Sequence, residues 1–133
     1  MFHEIPLVAV VFGLIAAAVH AYIFVLESIL WTTPRVRAIF AVASEQEALT
    51  TRELAYNQGW YNLFLAIGTV LGIVLSRSGD DVTRAAGAGI LLLATASMVG
   101  AALVLVVRNP SMARAGAVQG LAPLVALVAL VAG

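Results

Sequence analysis

Four apolar runs, each long enough to cross a bilayer, constrain this chain more than any other feature. They are Ile5 to Trp31, Leu54 to Ser76, Ala85 to Val107 and Ala113 to Ala132. A membrane helix needs about 20 mostly apolar residues to cover roughly 30 Å of hydrocarbon. Inside hydrocarbon every peptide group must be bonded within the protein, so runs of this length are read as helices. The breaks between them carry turn chemistry: Thr32-Thr33-Pro34, Ser78-Gly79-Asp80-Asp81 and Arg108-Asn109-Pro110-Ser111. Pro6 stands near the start of the first run, where a missing N–H costs nothing. The expected fold is all-α, an integral membrane four-helix bundle forming one transmembrane domain over residues 1–133.

Composition agrees and removes other classes. Of the residues, 62% are apolar and 11% charged, against about 45–50% and about 25% in a soluble domain. Seven basic and seven acidic side chains give a net charge of zero, so no clustered basic surface points to nucleic acid as a partner. With no cysteine, disulfides, thiolate metal sites and cysteine nucleophiles are excluded. A cleaved signal peptide competes for the first run. However, Met1-Phe2-His3-Glu4 carries no basic residue and the apolar run exceeds a usual signal core, so a retained helix is expected.

Four spans put both termini and the second loop on one side, with Arg77 and Arg84. The first and third loops lie on the other side, with Arg35, Arg37, Arg52, Arg108 and Arg114. The arginine excess assigns that second side to the cytoplasm and both termini to the outside. Within the first loop, Pro34 opens a short stretch with Val36, Ile39, Phe40 and Ala43 on one face, opposed by Arg35 and Arg37. An amphipathic interfacial helix is expected there. Ser44-Glu45-Gln46-Glu47 matches a capping box leading towards the second span. Gly68-x-x-x-Gly72 and Gly116-x-x-x-Gly120 are spacings that permit close helix crossing, expected within one chain rather than between copies.

Ionisable groups inside a span are costly and usually face the bundle interior or a water-filled cavity. His20 and Glu27 lie seven residues apart on the first span, on one helical face with Phe24 and Trp31. On the second span Glu53, Asn57 and Tyr61 form one stripe, and Gln58 and Asn62 an adjacent one. Connectivity brings Glu27, Asn57, Tyr61, Asn62 and Gln119 into the half of the bilayer next to the first loop. That convergence predicts a polar pocket with His20 at its floor and Trp31, Trp60 and Tyr22 around it. Plainer roles exist for each residue: a snorkelling Glu27, a core His20 bonded to a carbonyl, Asn57, Asn62 and Gln119 as interhelical bonds, and tryptophans in an aromatic belt.

Two segments are distinctive together: His20-Ala21-Tyr22-Ile23-Phe24-Val25-Leu26-Glu27 and Asn57-Gln58-Gly59-Trp60-Tyr61-Asn62-Leu63-Phe64-Leu65-Ala66. With the length, the four-span layout and Gln119, the chain resembles the domain-of-unknown-function 1304 family of small bacterial integral membrane proteins. That resemblance implies a four-helix protein of the bacterial inner (cytoplasmic) membrane and no settled activity. Its shared polar positions map onto His20, Glu27, Asn57, Gln58, Tyr61 and Asn62.

Three functions fit the polar half. A carboxyl group in an apolar surround gives and takes protons near neutrality. Glu27 is therefore the expected acid/base of an intramembrane isomerase, epimerase or cyclase acting on a lipophilic small molecule, with His20 as second proton carrier. Asn57, Gln58, Trp60, Tyr61, Asn62, Tyr22, Trp31 and Gln119 would contact the substrate. Such chemistry needs no cofactor, and the sequence carries no haem, nicotinamide or phosphate-loop fingerprint. No close ligand pair such as His-x-x-x-His suggests a metal. The alternatives are a proton-coupled small transporter and a non-enzymatic binding or structural subunit. Apart from the lipid bilayer and the lipophile, a homo-oligomeric partner stays open.

Overall fold

The computed structural model describes residues 4–133; Met1, Phe2 and His3, on which part of the signal-peptide reading rests, lie outside the described residues. Among those described, five α-helices and two short non-α turns account for the elements, with no strand. Helix α1 spans Leu7–Phe24 and runs into a π-helical turn, Val25–Ile29. The six-residue α2 is Pro34–Ile39, α3 is Glu45–Leu75, α4 is Asp81–Arg108, and a 3-10 turn at Pro110–Met112 leads into α5, Ala113–Ala132. Four of these segments are long and apolar enough to cross a membrane.

The ends follow local chemistry. Thr33 caps α2, accepting from Val36 N–H, with Pro34 in the first turn. Ser44 Oγ accepts from Glu47 N–H at 3.1 Å while Glu47 Oε2 accepts from Ala43 N–H at 2.9 Å, a capping box shifted back by one residue. Asp80 caps α4 through Thr83, whose hydroxyl and amide both bond its carboxylate and hold it below the usual aspartate range. Arg84 pairs with Asp81 and donates to the Ser78 carbonyl, closing the second loop.

Three boundaries differ from the sequence expectation. The first helix stops at Ile29 rather than Trp31, because the π-turn consumes an extra residue and Leu30 leaves helical geometry at φ −107°, ψ 9°. The second span has no break before Leu54. From Ser44 onward every residue is a tolerable helix former, so α3 is one 31-residue helix, ~46 Å long at 1.5 Å per residue. The third span begins four residues early, at Asp81, directly after its cap Asp80.

Each long helix packs on two neighbours in the ring α1–α3–α4–α5, with only slight contact across the α1–α4 diagonal. Little else than close packing drives association in lipid, and small residues set it. At the α3–α4 crossing a Cβ on Gly72 would lie 2.7 Å from Leu91 N and 2.9 Å from the Gly87 carbonyl; one on Gly87 would overlap the backbone of Leu75 and Ser76. Gly116 abuts Val106, and a Cβ on Gly120 would lie 2.8 Å from Ala102 Cβ. The Gly116–Gly120 pair is thus used within the chain, whereas of Gly68 and Gly72 only Gly72 makes a close crossing. The fully buried centre comprises Leu91, Met98, His20, Thr69, Thr95 and Pro123. Its hydroxyls are satisfied inside their own helices: Thr69 donates to Leu65 and Thr95 to Leu91.

Gly87→Ala should therefore destabilise the bundle by ~1–3 kcal/mol, the usual cost of overpacking. Gly89→Ala, where a Cβ meets nothing within 4 Å, should lose nothing and gain ~0.5–1 kcal/mol of helix propensity. Thermal melts of both variants in one detergent check the contrast. Equal melting temperatures would remove the backbone contact as the determinant of the crossing.

Candidate functional site

Glu27 occupies the middle of the π-turn and is 8% exposed. The turn is closed by Leu30 N–H donating to the Val25 carbonyl at 3.0 Å, a five-residue step. Short π insertions of this kind occur often at functional sites because they re-aim side chains. They also shift the phase of everything that follows. Seven-residue spacing therefore does not put His20 and Glu27 on one continuous α-helical stripe here.

The turn seats against Gly59 of α3. A Cβ at Gly59 would overlap Ser28 Oγ and lie 3.1 Å from Ser28 N and 3.2 Å from Glu27 Cβ. Ser28 Oγ in turn donates to the Tyr56 carbonyl at 2.8 Å. That close approach lets Asn62 Nδ2, one turn further along α3, donate to Glu27 Oε2 at 2.8 Å; the same Nδ2 lies 3.2 Å from the Gln58 carbonyl. Glu27 Oε1 accepts no hydrogen bond among the described residues. It is not sealed either, because Arg37 Nε is the one described side-chain polar atom both buried and unpartnered.

His20 is buried at 1% exposure, with Nδ1 2.9 Å from the Ala16 carbonyl. A carbonyl only accepts, so Nδ1 carries a proton, and Nε2 is the ring's remaining polar atom. His20 makes no hydrogen bond to Glu27.

The remaining expected site residues divide sharply. Trp60 is half-buried in an aromatic row, 5.0 Å from Phe24, 6.4 Å from Tyr56 and 5.9 Å from Phe64 by ring centroids. Trp31 packs 5.2 Å from Phe40 and donates Nε1–H to Thr51 Oγ1 at 3.2 Å, tying the first loop to α3. Tyr22 and Tyr61 are 50% and 60% exposed, and Asn57 and Gln58 are exposed too; none of the four side chains bonds to Glu27. The cause is geometric. The buried residues of α3 are Ala48, Ala55, Gly59, Ala66, Thr69, Gly72 and Ile73, so the Glu53–Asn57–Tyr61 stripe turns outward.

Gln119 is half-buried on α5. Carrying the α3–α4 register back from Gly72 opposite Leu91 puts Asn62 level with Ala101 and Ala102, and Gly120 packs on Ala102. Asn62 and Gln119 thus share a depth. Pro123, for which periodicity suggests no role, adds to this level: it has no N–H, so the Gln119 carbonyl four residues earlier receives no helical bond from it. An open groove of about 580 Å³ runs down the outer α1–α3 surface, but it is lined by Leu14, Ala21, Leu63, Val74 and other apolar side chains and holds none of the expected site residues. No three His, Asp or Glu side chains gather to hold a metal among the described residues.

A buried carboxyl on a π-turn, bonded to an asparagine of the neighbouring helix, defines an integral membrane four-helix bundle with one interhelical polar dyad. The chain belongs to the family described as Protein of unknown function (DUF1304), whose family model matches residues 14–131. No curated protein and no solved structure matches it.

Gly59→Ala should cost ~1–3 kcal/mol by displacing Ser28 and Glu27, whereas Gly68→Ala, with Ala94 Cβ 4.0 Å away, should be tolerated. Unfolding in a denaturing detergent series measures both. A tolerated Gly59→Ala would mean the π-turn does not seat on α3 as described.

Proposed function

We propose that this protein acts on a small lipophilic molecule within the membrane by proton transfer, with Glu27 as the acid/base. One observation carries the reading: a buried carboxyl within a membrane-capable helix whose Oε2 is fixed by Asn62 while Oε1 stays unbonded and unsealed. Anchoring one oxygen orients the group, and the free oxygen is the one that exchanges a proton with a ligand. In an isomerisation Glu27 removes a proton from one carbon of the substrate and returns one to another. The carboxyl ends as it began, so the reaction balances without a cofactor. In this reading Asn62 is the positioning residue, and Gln119 at the same depth supplies a polar contact for the substrate. His20, bonded within its own helix through Nδ1, keeps at most Nε2 for a further contact. Asn57, Gln58, Tyr22 and Tyr61 lie outside this reading, because they face away from the dyad. The cytoplasmic placement of the first and third loops, in a bacterial inner membrane, belongs to the same proposal and rests on the arginine asymmetry.

A second reading draws on the same pair. Asn62 bonding to both Glu27 and the Gln58 carbonyl is what an interhelical clamp in a structural subunit would show. The two readings separate under Glu27→Gln, which keeps the shape and removes the proton. The purified wild type, with the lipophile it carries from its host, should incorporate deuterium from D2O into a carbon position of that molecule. Glu27→Gln should reduce incorporation at least ~100-fold, the lower end of general acid–base contributions, with its melting temperature nearly unchanged. Equal incorporation by both proteins would end the acid/base role. A collapse in melting temperature with no wild-type incorporation would establish the clamp.

A further inference from the structure

The first loop carries a second feature, independent of Glu27. It is built as a fixed platform. Thr33 Oγ1 donates to the Leu30 carbonyl at 2.8 Å, Val36 is buried at 1% exposure, and Trp31 is held by Phe40 and Thr51. Beyond α2 the chain turns back through Ala41 at φ 55°, and Val42 N–H donates to the Arg37 carbonyl at 2.9 Å. A left-handed alanine is disfavoured, by ~1–2 kcal/mol, so this turn is kept against local preference.

The turn closes around Arg37. Its Nε is buried with no hydrogen-bond partner, the one such side-chain atom among the described residues, while the residue as a whole is only half-buried. The stem and Nε are thus packed against protein and the terminal nitrogens reach the surface. No described carboxylate pairs with it. Arg84–Asp81 is the one ion pair among the described residues, and Glu47 directs its Oε2 to the Ala43 amide. Glu45 and Arg35 are exposed to either side. A partly dehydrated guanidinium without a counter-anion is unfavourable, and a planar fork offering two parallel N–H groups matches a phosphate or carboxylate.

Depth selects the anion. The sequence starts the second span at Leu54, so Thr51, to which Trp31 is tied, stands at the first-loop end of that span. The platform therefore sits among lipid headgroups, where phosphate is the abundant anion. We propose that Arg37 binds the phosphate of one anionic phospholipid, held at the first-loop face by this platform. Arg35, solvated on the same helix, contributes field but no fixed contact.

Wild type, Arg37→Gln and Arg35→Gln would be placed in nanodiscs of phosphatidylcholine containing a minority of phosphatidylglycerol, then stripped of lipid by graded activation in native mass spectrometry. Wild type should retain one phosphatidylglycerol after bulk lipid is lost. Arg37→Gln should retain it about tenfold less, the loss of one charge-assisted hydrogen bond, and Arg35→Gln less than twofold less. Retention by Arg37→Gln at the wild-type level overturns the proposal. If that variant fails to fold, wild type alone decides: equal retention of phosphatidylcholine and phosphatidylglycerol also overturns it. Displacement of the lipid by equimolar soluble glycerol phosphate would reassign the site to a free phosphate ester.

Discussion

Everything in this bundle depends on how closely the backbones of α3 and α4 approach. Lipid tails are as apolar as leucine, so burying apolar side chains adds almost no drive for helices to associate once they are in the membrane. What remains is van der Waals contact, and this is strongest where no side chain separates two backbones. Gly72 and Gly87 create such a place, with Leu91 and Ser76 as their opposite numbers. That contact sets the register of α3 against α4. Through Gly116 and Gly120 of α5 packed against α4, and Gly59 of α3 under the π-turn, the register passes round the ring. Depth is then no longer free, and depth decides which polar groups meet.

The buried polar groups sort by whether a helix can satisfy them alone. A threonine or serine hydroxyl both donates and accepts, and Thr69, Ser76 and Thr95 each donate to a carbonyl three or four residues back. His20 does the same through Nδ1. A carboxyl oxygen that accepts needs a donor, and the helix around it has already committed its own N–H groups. Glu27 Oε2 takes its donor from another helix, and Asn62 is the one that Gly59 allows to come near. The carboxyl, the glycine, the asparagine and the π-turn thus meet at one contact.

The four spans, the turn segments between them and the cap at Ser44 were legible in the sequence because each rests on short-range chemistry; the caps at Thr33 and Asp80 came only with the structure. The meeting of Glu27 with α3 followed from connectivity, since consecutive spans share a membrane face. Three features were not legible. A π-turn leaves no mark on apolar periodicity, so Trp31 could not be seen to lie past the helix end. Gly87 belongs to no four-residue glycine pair, yet makes the tightest crossing, because a crossing needs one small residue opposite another helix's backbone rather than a repeat on its own. The polarity of Asn57, Gln58 and Tyr61 suggested an inward face, but the phase of α3 is set by Gly59, Gly72 and their partners, and these turn that stripe outward.

Magnitudes bear on why a carboxyl stands at position 27 at all. An interhelical hydrogen bond in a membrane protein contributes about 0.6 kcal/mol on average and about 1.7 at most. An acidic side chain in a span costs about 2.5–3.5 kcal/mol at the bilayer centre on insertion scales, less nearer the interface. A glutamine would span the same gap to α3, donating to and accepting from Asn62, without carrying an ionisable group into hydrocarbon. As a clamp, Glu27 is therefore a poor choice, and a π-turn that re-aims it adds a further departure from ideal helix geometry. What glutamine lacks is the proton. The unbonded Oε1 is where that difference would be expressed, and the stability argument and the chemical argument meet at this one atom.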